Sequence, residues 1–110
     1  MTIEQFAIKV LSRIGVYSRS TLDAADLENV NDAYQAVYYT LADDGLVTWA
    51  ITDDIPIRFT LPLTLLVAAE IGPFYNIPEI DPRLKQLAVN SIRRQLASGQ
   101  DPEPVTAEYF

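Results

Sequence analysis

The hydrophobic residues near the start of the chain recur at steps of three and four positions, the spacing of one face of an α-helix. Thr2 and Gln5 stand at the head of this stretch in the pattern of a capping box, and Gly15 follows it. A left-handed residue is favoured directly after a helix, and glycine adopts that conformation most easily. Three further apolar stretches end in the same way, at Gly45, Gly72 and Gly99. The pattern therefore predicts four helices.

The longest predicted helix begins between Ser20 and Asp23 and ends near Asp43. Its apolar residues share one face, and the opposite face collects an acidic band that contains one tyrosine. The residues of this band are Glu28, Asn31, Asp32, Gln35, Tyr39 and Asp43. Tyr39 is either a tolerated surface aromatic or a contact with another chain, since aromatic residues are enriched at interfaces.

Residues 46–51, which include Trp49, are rich in β-branched and aromatic side chains. Residues 52–56 have the composition of a turn, and residues 57–59 return to extended character. This order predicts a small β-hairpin between helices two and three. Because a two-stranded ribbon is marginal alone, we expect it to pack on the helices or to pair with a neighbouring subunit.

Two more helices complete the predicted bundle. Thr60 is the expected cap of a third helix with almost no polar side, which is typical of a central helix. Asp81 followed by Pro82 predicts the start of a fourth helix that runs to about Ala97. The polar side of this fourth helix carries Arg83, Arg93 and Arg94. The expected fold class is mainly α, a four-helix bundle.

Residues 1–99 are expected to form this helical domain, and residues 100–110 an extended C-terminal arm. The arm has two prolines, three acidic residues and no basic residue, and it ends in two aromatics. It is either a disordered end or a segment that orders when it docks on a partner. The candidate docking residues are Asp101, Pro102, Glu103, Pro104, Val105, Glu108, Tyr109 and Phe110.

Composition narrows the chemistry that the chain can perform. It has no cysteine and no histidine, which excludes zinc clusters, thiol catalysis and any imidazole base. The paired carboxylates do not have the spacing of a calcium loop, so we expect no metal or cofactor. The longest apolar run without charge, residues 59–69, is too short to span a bilayer, and no membrane association is expected.

The charge of the chain is unevenly distributed. Eight basic and 15 acidic side chains give a formal charge of −7, which disfavours general DNA binding. The acidic band and the arginines lie on different helices, so they could meet head-to-tail between copies and close a ring. Such assembly should weaken with salt or with Arg94→Glu. Alternatively, the acidic band faces a channel, and then it cannot also hold a neighbour's arginine.

Short motifs along nearly the whole chain carry a family resemblance. They are Leu22-Asp23-Ala24-Ala25-Asp26-Leu27, Asp43-Asp44-Gly45-Leu46-Val47 with Trp49, Asp54-Ile55-Pro56, Leu61-Pro62-Leu63, Pro73-Phe74-Tyr75, and Pro104-Val105 with Glu108-Tyr109-Phe110. In these residues the chain resembles the head-to-tail connector, or adaptor, proteins of tailed bacteriophages.

The resemblance implies a structural virion protein with no catalysis, made in the host cytoplasm and located in the neck between capsid and tail. Twelve copies would form a homo-oligomeric ring under the portal protein, extend the DNA channel and receive a tail or other neck protein. Double-stranded DNA would pass without sequence-specific binding. The arm would grip the portal, and residues 46–59 would take part in subunit or tail contacts. The candidate interface or channel residues are Glu28, Asp32, Tyr39, Asp43, Trp49, Arg83, Arg93 and Arg94.

Two other classes of function remain open from the sequence. One is an acidic regulatory or antitoxin-like protein-binding module, which would be a monomer or dimer. The other is a small tail-associated hydrolase that uses a carboxylate such as Glu70 or Asp54. The size of the assembly separates the first from a ring, and the substitutions Glu70→Gln and Asp54→Asn test the second.

Overall fold

A computed structural model describes residues 1–15 and 22–99 as a mainly helical bundle, which confirms the predicted helical class. The four α-helices within these residues are α1 (Ile3–Arg13), α2 (Ala24–Asp43), α3 (Thr60–Ile71) and α4 (Pro82–Gly99). Two short 3₁₀ helices, Ile57–Phe59 and Gly72–Tyr75, flank α3 on either side. The predicted arm, residues 100–110, lies outside the described residues, as does Ser20.

The starts of α1, α2 and α4 are fixed by the predicted side-chain caps. The Thr2 hydroxyl accepts the backbone N–H of Gln5 at 3.2 Å, and the Gln5 side chain accepts that of Thr2 at 3.1 Å. Asp23 and Asp81 each accept a backbone N–H in the first turn of α2 and α4, at 3.2 and 2.9 Å. These bonds satisfy donors that the first turn of a helix leaves without a partner.

The helix ends follow the glycine prediction after α1 and α2 and depart from it at Gly72 and at Gly99, which is the last residue of α4 and not the residue after it. Gly15 and Gly45 have φ angles of +76° and +72°, the left-handed conformation expected after α1 and α2. Gly72 instead has φ −49°, because the chain tightens there into the 3₁₀ helix Gly72–Tyr75. Asn76, with φ +58°, takes the left-handed position at the end of that segment.

α3 lies at the centre of the bundle and packs against α1, α2 and α4. Leu63, Val67 and Ile71 on this helix are completely buried. Its central place explains why almost no polar residue occurs along it. Thr60 differs from its predicted role, since it is the first helical residue and Phe59 occupies the cap position.

The predicted β-hairpin between α2 and α3 is not supported. No strand occurs within the described residues, and residues 57–59 form a 3₁₀ helix rather than an extended segment. The chain turns at Ala50, whose N–H donates to the Asp53 carboxylate at 3.0 Å. Trp49, Ile55 and Phe59 are all buried in the same core. Their burial favours an irregular path that folds over the bundle, so β-propensity does not decide the conformation here.

A chain of aromatic rings joins this segment to the helices. The ring of Phe6 on α1 lies 5.6 Å from that of Tyr34 on α2, and Trp49 stacks on Phe59 with ring centroids 5.2 Å apart. The indole N–H of Trp49 donates to the Tyr34 hydroxyl at 2.9 Å, and the Tyr38 hydroxyl donates to the Trp49 carbonyl at 2.6 Å. The polar atoms of these buried rings therefore have partners.

One helical stretch in the described part of the chain, Ile57–Tyr75, has the length and apolar composition of a membrane span, with a mean hydropathy of 1.4. It contains the central helix α3, and 56% of the stretch is buried inside the bundle. The core helix of a bundle meets the same criteria, so this stretch is weak evidence for a membrane segment.

Candidate interaction surfaces

The outer side of α2 carries an acidic stripe, which we define as Asp32, Tyr39 and Asp43. Each of the three is exposed, and their spacing of seven and four residues keeps them within about 40° of one another around the helix. Glu28 and Gln35 are also exposed on this side, as the periodicity predicts. Tyr39 is 55% exposed. Its ring packs edge-on against the buried ring of Tyr38, with the ring centroids 5.1 Å apart.

The outer side of α4 carries a basic stripe, which we define as Arg83, Leu87 and Arg94. Their spacing of four and seven residues again places them within about 40° around the helix. Both arginines are exposed, and Leu87 is 58% exposed between them. The structure thus places two of the predicted arginines, Arg83 and Arg94, on the same face as Leu87, a residue that the sequence pattern did not indicate.

The first turn of α4 sets the position of the basic stripe. The Arg83 guanidinium forms an ion pair with Asp81 at 3.1 Å, and the Arg83 backbone N–H donates to the same carboxylate. The backbone bond and then the guanidinium lower the pKa of Asp81 below its ordinary value of 3.8. Because both side chains are well exposed to water, this ion pair holds Arg83 only weakly.

Arg93 lies off the basic stripe although it precedes Arg94 directly. One residue corresponds to about 100° of helix rotation, so Arg93 is exposed on a different side of α4. The predicted arginine strip therefore divides in the structure. Arg83 and Arg94 share one face of α4. Arg93 carries the same charge on a different face, next to Arg94 in the sequence.

Trp49, which the sequence analysis names as a candidate subunit contact, is a core residue of this chain. Only 8% of its surface is exposed, and its ring, indole N–H and carbonyl all have partners within the chain. A contact with another chain through this side chain would require opening of the core. The sequence could not distinguish the two roles, because aromatic residues serve both cores and interfaces.

The structure also exposes apolar side chains that the sequence analysis did not single out. Ile57, in the 3₁₀ helix before α3, is 79% exposed, and Leu61, in the first turn of α3, is 83% exposed. Their four-residue spacing was the available signal, but the uniformly apolar composition of this helix concealed which side faces solvent. Phe74, in the 3₁₀ helix that follows α3, is 76% exposed.

The neighbour of Phe74 anchors this 3₁₀ helix to α2. The Tyr75 hydroxyl donates to the Asp26 carboxylate at 2.6 Å and accepts from the Asn29 side chain at 3.3 Å. Burial and the adjacent Asp26 raise the pKa of Tyr75, although the Asn29 hydrogen bond opposes this shift. Phe74 then lines a shallow hollow of about 150 Å³ beside Asp32, next to the acidic stripe.

A larger groove of about 340 Å³ lies between α2, α3 and α4. Its floor is apolar, and its polar lining includes Asp44, Glu70 and Lys85, all of them exposed. Within the part of the chain that the structure describes, no three carboxylates come together as a possible metal-binding group.

In comparisons with known proteins, no family model, no curated protein and no solved structure matches this chain.

Proposed function

We propose that this protein is a structural subunit of a bacteriophage neck, in which copies form a ring that joins the portal to the tail. One observation carries the proposal. A single small bundle presents an acidic stripe and a basic stripe on two different helices, as a subunit that binds its own copies head-to-tail would. The resemblance of its sequence motifs to connector proteins supports the same role.

The net charge of the chain fits a passage for DNA. At −7, the subunit repels a phosphate backbone, and counterion release cannot drive DNA onto an acidic wall. DNA could therefore move through such a ring without being retained. In this proposal the acidic stripe is used at the subunit contact, and acidic residues on other sides of the bundle are available to the channel.

The C-terminal arm is the proposed portal contact. Its final residues, Tyr109 and Phe110, are two aromatic anchors in a segment of mixed proline and acidic residues. Such a segment can bind by filling pockets on a partner, with most of the affinity contributed by a few buried aromatics. The portal would supply these pockets.

The test is binding of the full chain to its cognate portal, compared with a chain truncated after Gly99 and with the double variant Tyr109→Ala/Phe110→Ala. We expect the full chain to form a ring on the portal that is visible by electron microscopy. Loss of both aromatics should weaken docking by about 2–4 kcal/mol, the range of buried anchor residues. Wild-type docking by the double variant would refute the role of the arm.

The matched control is Val105→Ala, which trims a smaller side chain of the same arm and should change docking less. The size of the complex separates the proposed role from the alternative, an acidic regulatory or antitoxin-like module. A regulatory module would bind its partner as a monomer or dimer. A particle with one or two copies bound, and no ring, would favour that alternative.

A further inference from the structure

The acidic and basic stripes have complementary spacing. Along α2, Asp32, Tyr39 and Asp43 are separated by seven and then four residues. Along α4, Arg83, Leu87 and Arg94 are separated by four and then seven. Each stripe therefore has an apolar or aromatic residue between two charged residues and extends about 16 Å along its helix. The order of the two spacings is reversed between the stripes, and their charges are opposite.

An antiparallel alignment of the two helices brings every position of one stripe opposite a suitable partner. Arg83 then faces Asp43, Leu87 faces Tyr39, and Arg94 faces Asp32. In a parallel alignment the unequal spacings do not match, and Leu87 would not meet Tyr39. The antiparallel register also sets the two helix dipoles in the favourable relative direction.

We infer that α2 of one copy of this chain binds α4 of a second copy in this antiparallel register. Arg83 and Arg94 pair with the two aspartates, and Leu87 packs against Tyr39 in the centre. Exposed ion pairs are individually weak, so most of the binding free energy comes from the burial of Leu87 and Tyr39 away from water. The charged residues set the register and orientation of the two helices. The inference rests on the proposed function for its biological setting and specifies the subunit contact of that ring.

A second copy fits these stripes because each one is complementary to the other in charge, order and spacing. The two stripes lie on different helices of the same subunit, so the contact is heterologous, and each end of any pair can still add a further copy. Successive additions then produce a closed ring or an open filament. A contact of one stripe with itself would bring like charges together.

The inference is tested by reciprocal charge exchange in the free full-length protein, without the portal. Arg94→Glu and Asp32→Arg should each weaken self-association by about tenfold, as measured by sedimentation of the 12.3 kDa chain. An equimolar mixture of the two variants should recover association, because every contact in alternating chains again joins opposite charges. The double variant in one chain should recover it as well. Failure of both rescues would overturn the register.

Arg93→Glu is the matched control, since it makes the same charge change one residue away on another side of α4. We expect it to leave association within about twofold of wild type. An effect as large as that of Arg94→Glu would show that net charge, and not the stripe, is responsible. Circular dichroism of each variant checks that the helices are retained.

Disulfide trapping gives a second readout that leaves all six stripe residues in place. In the proposed register Ala36 of one copy lies level with Ser91 of the next, and both are on the same flank of the contact because each is turned about 40–60° from its stripe in the same sense. The chain has no native cysteine. A mixture of the Ala36→Cys and Ser91→Cys variants should form a mixed disulfide dimer faster than an Ala36→Cys and Arg93→Cys mixture, because Arg93 lies on the other flank of the contact. Equal rates would contradict the alignment.

These outcomes separate the inference from the proposed neck role. A ring on the portal whose assembly is unaffected by the charge exchanges would retain the proposed function and overturn this contact. Specific association in solution together with no binding to the portal would retain the contact and refute the neck role. A wild-type chain that stays monomeric up to about 1 mM would overturn the contact directly.

Discussion

At the scale of single residues, Tyr34 connects the core of the bundle to the segment that precedes α3. Its side chain is almost fully buried, and its hydroxyl accepts the indole N–H of Trp49. Burial raises the pKa of Tyr34 above the ordinary value of 10.0, although the Trp49 hydrogen bond opposes this shift. The neutral phenol is thus favoured in the folded state.

This shift predicts alkaline destabilisation. A raised pKa in the folded state leaves the contribution of Tyr34 to stability intact below about pH 10 and removes it as the pH rises above that value. The free energy of unfolding in urea should therefore fall as the pH rises above about 10. Tyr34→Phe should reduce this slope, at the cost of about 1–2 kcal/mol near neutral pH for the lost acceptor. An unchanged slope would contradict the assignment.

At the scale of elements, α3 shows how one helix can serve the core and the surface at once. Leu63 is completely buried, whereas Leu61, two residues earlier, is 83% exposed. Composition cannot separate these two leucines, since both lie in the same apolar run. The positions of α1, α2 and α4 around α3 decide which of them is covered.

These two leucines form a matched pair for stability measurements. Leu63→Ala should destabilise the fold by about 2–5 kcal/mol, because it leaves a cavity in the centre of the bundle. Leu61→Ala removes the same atoms from a site already in water and should change stability by less than about 0.5 kcal/mol. Urea denaturation measures both values. Equal losses would mean that Leu61 is covered in solution, for instance by another copy.

At the scale of the whole molecule, the excess of acidic side chains repels the phosphate backbone of nucleic acid and so weakens non-specific binding. We expect no retardation of a short DNA duplex in a gel shift at about 0.15 M salt with protein at up to about 100 µM, where weak non-specific binders are retained. The triple variant Glu28→Lys/Asp32→Lys/Asp43→Lys reverses three charges on one side of α2 and should retard the duplex more than wild type. Tight binding by wild type would contradict a channel role.

The local signals in the sequence were sufficient for the helical framework. The capping box at Thr2, the caps at Asp23 and Asp81, and the left-handed glycines at positions 15 and 45 all occur where the pattern predicts them. These features depend on contacts between residues only a few positions apart. The outward acidic residues of α2 were predictable for the same reason, since helical periodicity alone separates its two sides.

The tertiary structure decided the features that depend on distant partners. It buried Trp49 against Tyr34, Tyr38 and Phe59. It gave residues 46–56 an irregular path and residues 57–59 a 3₁₀ helix, where the sequence predicted a hairpin. It also left Leu87 exposed between two arginines, a placement set by how α4 lies on α3. Burial is a property of the assembled helices, and a hydrophobic side chain carries no local signal of whether another helix will cover it.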